Sequence, residues 1–108
     1  MIGEAELRAM PRHAYLVNIA RGPIIDETAL IRALTEGWIA GAGLDVAVEE
    51  PLPADSPLFT APNLILTPHI SGASDRYNER LAALFADNLR RYRTGQPLIN
   101  QYDPQKGY

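Results

Sequence analysis

The 108-residue sequence contains no cysteine. That excludes a disulfide framework, a thiol nucleophile and a thiolate metal site. It fits a reducing, cytoplasmic compartment. No apolar run approaches the ~20 residues that span a bilayer, so no membrane partner is expected. The start, Met1-Ile2-Gly3-Glu4-Ala5-Glu6, has neither a basic segment nor an apolar core, so no secretory leader is read there. A surface of one strong charge is also lacking. Residues 1–74 hold four Arg against nine Asp or Glu. Residues 75–108 hold five Arg and one Lys against four acids. So small a positive excess, mixed with acids, argues against a nucleic-acid surface. What is present is an ordinary apolar fraction, 46%, in a length that suits one globular domain and not two.

The pattern along the chain predicts an α/β fold built on a parallel sheet. Glu4 to Met10 reads as a short helix stopped by Pro11. Ala14 to Ile19 is a short apolar run, the mark of a strand covered on both faces. Arg21-Gly22-Pro23 breaks it. Asp26 is a good N-cap for a second helix, with Glu27 at the positive end of the dipole. Leu30, Ala33 and Leu34 recur at helical spacing, and Gly37 is placed to end the helix in a left-handed conformation. Trp38 to Val46 reads as a second buried strand. Strand, helix and strand with short joints close as a right-handed crossover. Residues 46–62 are a Pro-rich acidic loop. Asn63 to Thr67 is a third strand, and 68–73 a turn. Ser74 is expected to cap a long helix with Tyr77, Leu81, Leu84, Phe85, Asn88 and Tyr92 on one face. Gly95 and Pro97 stop it, and the tail to Tyr108 looks irregular.

Ligands of open α/β sheets bind beyond the carboxyl ends of the strands. Each end here carries a reactive side chain: Arg21 after the first strand, Asp45 and Glu50 after the second, His69 after the third. A guanidinium grips a carboxylate in bidentate fashion. A His exchanges a proton near neutral pH, and a neighbouring carboxylate favours its charged form. This set suits reduction of a keto acid, with the Arg on the substrate carboxylate and the His as acid or base. Each residue also has an ordinary reading. Arg21 would be a solvated loop residue and Glu50 a surface carboxylate. His69 would satisfy loop backbone groups, and Asp45 would cap the loop that follows it.

Three linked motifs then resemble a known family. They are Leu16-Val17-Asn18-Ile19-Ala20-Arg21-Gly22, then Gly41-Ala42-Gly43-Leu44-Asp45-Val46 with Glu49-Glu50-Pro51-Leu52-Pro53, then Leu66-Thr67-Pro68-His69-Ile70-Ser71-Gly72. In order and spacing they resemble the D-isomer-specific 2-hydroxyacid dehydrogenases, through nearly the whole chain. The resemblance implies the second half of a Rossmann NAD(P)-binding domain over 1–96. It implies a tail over 97–108 that returns toward a substrate domain, as in the natural ending of such an enzyme. It implies NAD or NADP as cofactor, a 2-keto or 2-hydroxy acid as substrate and a homodimer for the full-length protein. Arg21 becomes the substrate-carboxylate arginine and His69 the acid/base. Glu50, directly before Pro51, becomes the partner of His69, with Glu49 the near miss. Asp45 becomes the residue that bonds the nicotinamide carboxamide. Ile19, Ala20, Arg21 and the His69 to Gly72 turn become cofactor contacts.

Departures are few. Ala47 stands where an aromatic residue is common, and Ser71 where Gly or Ala is usual. No G-x-G-x-x-G phosphate loop occurs anywhere in the chain, nor the acidic residue that follows one. The chain alone is therefore expected to bind NAD weakly and not to turn over. Its open edge strand predicts self-association. A non-catalytic fragment, or an NAD-sensing co-repressor of the same fold, is the alternative. Formate dehydrogenases of this fold typically lack the Glu that Glu50 supplies.

Overall fold

The computed structural model describes residues 1–105. The last part of the expected tail, Lys106 to Tyr108, lies outside the described residues. The chain forms two compact units, Met1–Gly72 and a second beginning at Ala73.

The first unit is a three-stranded parallel sheet in the order β1-β2-β3, with β1 Tyr15–Asn18, β2 Gly41–Leu44 and β3 Leu64–Leu66. Helices α1 (Glu4–Ala9) and α2 (Glu27–Thr35) pack together. The Asp26 side chain accepts from the Ala29 amide at 3.0 Å, so the expected cap forms. Gly37 adopts φ 69, and the Trp38 and Gly37 amides bond back to Ala33 and Leu34 at 2.8 and 3.3 Å. Trp38 is thereby tied to the end of α2. That is why β2 begins at Gly41 and not at Trp38 as expected.

The core is Leu7 from α1, Ala29, Leu30, Ala33 and Leu34 from α2, Ala42 and Leu44 from β2, with Ile25, Ile39 and Leu58. Leu7 and Leu30 are fully buried. Each such side chain contributes about 1.5–3 kcal/mol of transfer free energy. The chain before α1 is stitched to this core by a parallel bridge, with the Ile2 amide on the Ile24 carbonyl and the Asp26 amide on Ile2, both at 2.9 Å.

Within the first unit, helices cover one face of β1. Tyr15 and Val17 of β1 are 74% and 67% exposed, and Ile65, in register with Val17 through Gly43, is 71% exposed. The helices of this unit lie on one side of the sheet. Two single turns of 3-10 helix, Gly22–Ile24 and Pro57–Thr60, interrupt segments expected to be plain loop.

The second unit is α3 (Tyr77–Arg93) and the chain after it. Ser74 does not cap this helix. Its carbonyl accepts from the Tyr77 amide at 3.1 Å and closes a turn, so Arg76 occupies the cap position without a side-chain bond. The apolar side chains expected along one face are not buried. Tyr77, Leu81, Phe85 and Tyr92 are all more than half exposed. The tail is tied to α3 through polar side chains. Asn88 bonds Asn100 and the Ile99 amide at 2.6 and 3.0 Å, and Arg91 donates to the Pro97 carbonyl at 3.2 Å. Among the described residues no helix is long and apolar enough to cross a membrane.

Candidate active site

The three strand ends carry their loops at one edge of the sheet. At the end of β1, Asn18 is 5% exposed although it is polar. Its amide donates to the Arg21 carbonyl at 2.9 Å, and its oxygen accepts from the Ala20 amide at 3.1 Å. Asn18 thus folds the Ile19 to Arg21 turn before Gly22 starts the 3-10 turn. A Cβ on Gly22 would lie 2.1 Å from the Ala47 carbonyl carbon, so only glycine lets this loop pass the next one. Glu27 fastens the same place, accepting from the Val48 amide at 2.6 Å.

Beyond β2, Glu50 turns both oxygens to use. Oε1 accepts from the Ala47 amide at 2.9 Å, and Oε2 lies 2.7 Å from His69 Nδ1. The hydrogen bond with His69 is the main cause that holds the Glu50 carboxyl below the usual range. The Ala47 amide and the charges of His69 and Arg21 act in the same direction. Glu50 is therefore ionised at neutral pH and accepts from Nδ1–H. The contact uses Nδ1 of His69 and not Nε2. The carboxylate beside His69 is that of Glu50, directly before Pro51.

Asp45 sits deeper, 4% exposed. Its carboxylate accepts from Thr67 Oγ1 at 2.5 Å, the Ile70 amide at 2.9 Å and the Ser71 amide at 2.8 Å. Thr67 is the largest cause that holds its carboxyl far below the usual range. Hydrogen bonds from Ser71 and Ile70 add to it and outweigh burial.

Arg21 behaves differently. It is exposed, and its guanidinium returns to the Ala20 carbonyl at 2.6 Å. Its charge reaches Glu50 without a direct contact. A cleft of about 700 Å³ opens between the β2 and β3 ends, lined by Asp45, Glu50, Leu52, Phe59, Leu66 and His69 among others. Arg21 is not part of its wall. Ile19 is 62% exposed just beyond β1, and Gly72 has open space where a Cβ would stand. Among the described residues no group of three or more His, Asp or Glu is placed to hold a metal.

Sequence reasoning missed Asn18, Glu27 and Thr67. Asn18 had a readable signal, as the one polar residue in an apolar strand. Glu27 was read as a helix-dipole charge, and its reach to Val48 spans 21 residues, which local patterns do not reveal.

Residues 1–71 match the family model of the D-isomer specific 2-hydroxyacid dehydrogenase, NAD binding domain. The chain belongs to this family. It is 49% identical over 104 residues to the glyoxylate reductase of Korarchaeum cryptofilum, covering 94% of this chain and 31% of that one. It is 46% identical over 105 residues to glyoxylate/hydroxypyruvate reductase B of Yersinia enterocolitica, covering 97% and 32%. Among solved structures, a D-isomer specific 2-hydroxyacid dehydrogenase of Xanthobacter autotrophicus, in complex with NADPH, aligns with a TM-score of 0.87 and 43% identity. The alignment covers 99% of this chain and 43% of that one. The chain thus spans about a third of the length of the curated relatives it matches. The Rossmann-type architecture expected from the sequence is that of these 2-hydroxyacid dehydrogenases.

Proposed function

We propose that this chain carries the acid/base machinery of an NAD(P)-dependent oxidoreductase that interconverts a small 2-keto acid and its D-2-hydroxy acid. Glyoxylate and hydroxypyruvate, named in its relatives, are the substrate class. The observation that carries this reading is the 2.7 Å contact between His69 Nδ1 and Glu50 Oε2 at the carboxyl edge of a parallel sheet.

In the direction of reduction, His69 gives the proton on Nε2 to the keto oxygen. Glu50 stabilises the imidazolium before the transfer and holds the ring by Nδ1 throughout. Arg21 swings from the Ala20 carbonyl to take the substrate carboxylate in two parallel hydrogen bonds. In the reverse direction the neutral His69 takes the hydroxyl proton.

The residues present fit the nicotinamide end of the cofactor. The exposed Ile19 offers a flat ring an apolar surface, and the open space at Gly72 leaves the strand ends uncrowded. Ile19, Ala20, Arg21, Asp45, His69 and Gly72 are the residues we assign to holding it. When bound, it supplies the hydride. The chain has no glycine-rich phosphate loop for the other end.

The test is turnover of glyoxylate and hydroxypyruvate with NADH and with NADPH by the full-length polypeptide that contains this chain. Turnover is expected, and His69→Ala is expected to remove most of it. Absence of turnover with either acid, or full turnover in His69→Ala, contradicts the reading.

A further inference from the structure

Asp45 lies at the tip of β2, and its amide bonds the Asn18 carbonyl at 2.9 Å. Its side chain crosses to the loop after β3. There its two oxygens accept from Thr67, two residues before His69, and from Ile70 and Ser71, one and two residues after it. The three donors bracket the histidine. His69 itself has φ 54, a left-handed conformation that side chains with a Cβ rarely adopt. Such a conformation persists where surrounding contacts over-determine it. The His69 amide reaches only the Thr67 carbonyl, at 3.1 Å, so the restraint comes from its neighbours. That conformation is the one in which Nδ1 meets Glu50.

We propose that Asp45 is a positioning residue for His69: by gathering Thr67, Ile70 and Ser71 it fixes the loop in the conformation that sets the imidazole against Glu50. This rests on reading His69 as the acid/base. The family resemblance gives Asp45 another task, bonding the nicotinamide carboxamide, and the two tasks separate on measurable grounds. A carboxylate that positions His69 governs the ring with or without a cofactor. A carboxylate that serves only the cofactor leaves the ring unchanged.

The chain has two histidines, His13 and His69, so the imidazole nuclear magnetic resonance spectrum contains its own control. Asp45→Asn keeps the shape of the side chain but offers one accepting oxygen to three donors. The His69 ring signals are expected to shift and broaden toward those of Glu50→Gln, while the His13 signals stay. Thr67→Val keeps the Asp45 carboxylate and removes one donor. It is expected to move the same signals less, and it decides the matter if Asp45→Asn does not fold. His69 signals that coincide with wild type in whichever of these variants folds overturn the proposal.

In the full-length enzyme, Asp45→Asn is expected to lower kcat on the order of 100-fold, as for a misplaced reacting group. The fall in kcat is expected to exceed any rise in the dissociation constant for NADPH, because the other residues assigned to the cofactor are kept. A raised dissociation constant with unchanged kcat overturns the proposal and leaves the cofactor contact as the task of Asp45. If the wild-type enzyme reduces no keto acid, the proposed function fails, and the spectra still decide whether Asp45 governs His69.

Discussion

The ends of β2 and β3 contrast with the end of β1. Around Glu50 and His69 the polar atoms are paired inside the chain: Ala47 on Glu50, Glu50 on His69, and Thr67, Ile70 and Ser71 on Asp45. At the end of β1 the Asn18 side chain fixes the turn itself, yet the Arg21 guanidinium above it is exposed and rests on its own neighbour's carbonyl. In the proposed reaction, proton transfer needs a ring held in one orientation, and the Glu50 contact with His69 would supply it from within. In the same proposal, Arg21 would leave the Ala20 carbonyl to close on the substrate carboxylate. Gly22 joins the two regions, because the loop that carries Arg21 passes against the Ala47–Val48 backbone with no room for a side chain.

The largest effect tests the platform under both regions. Leu30 is fully buried between α2 and the sheet, so Leu30→Ala is expected to cost about 2–5 kcal/mol in urea unfolding. Ile65 is 71% exposed, and Ile65→Ala is expected to cost much less. Equal costs would break the picture of a one-sided core. Next, Gly22→Ala is expected to lower kcat and raise the substrate KM together, since it pushes both loops apart. An effect on one constant alone would show that the loops are independent.

Smaller again is Arg21→Lys. Loss of the bidentate grip is worth about 1–3 kcal/mol, so the keto-acid KM is expected to rise about 10–100-fold with a lesser change in kcat. The smallest effect is on acid stability. Glu50 has a folded pKa below its ordinary value of 4.5, so its contribution is present above that pH and is lost as pH falls through the lowered value. Wild type is expected to exceed Glu50→Gln in stability near neutral pH, and the gap is expected to close in acid. A gap that widens on acidification would reverse the sign assigned to Glu50.

Much of this was legible in the sequence. Asp26 and Gly37 bound α2 as their cap chemistry requires, and the strand–helix–strand spacing delivered a parallel sheet. Glu50 and His69 could be brought together because connectivity alone aligns the strand ends. The rest depends on distant partners. The exposure of Tyr15, Val17 and Ile65 reflects which face receives helices, and a short apolar strand does not encode that. Ser74 obeys the rules for a cap, yet the turn it closes starts α3 later. Glu27, Thr67 and Asp45 act across loops that are far apart in sequence.

The proposed contrast between a built acid/base pair and an open arginine is tested most directly by one steady-state comparison in the full-length polypeptide, His69→Asn against Arg21→Lys. His69→Asn is expected to lower kcat by about 10²–10⁴ with little change in KM, the range of general acid–base catalysis. Arg21→Lys is expected to act chiefly on KM. The reverse pattern, with kcat lost at Arg21 and only KM changed at His69, would contradict the assignment.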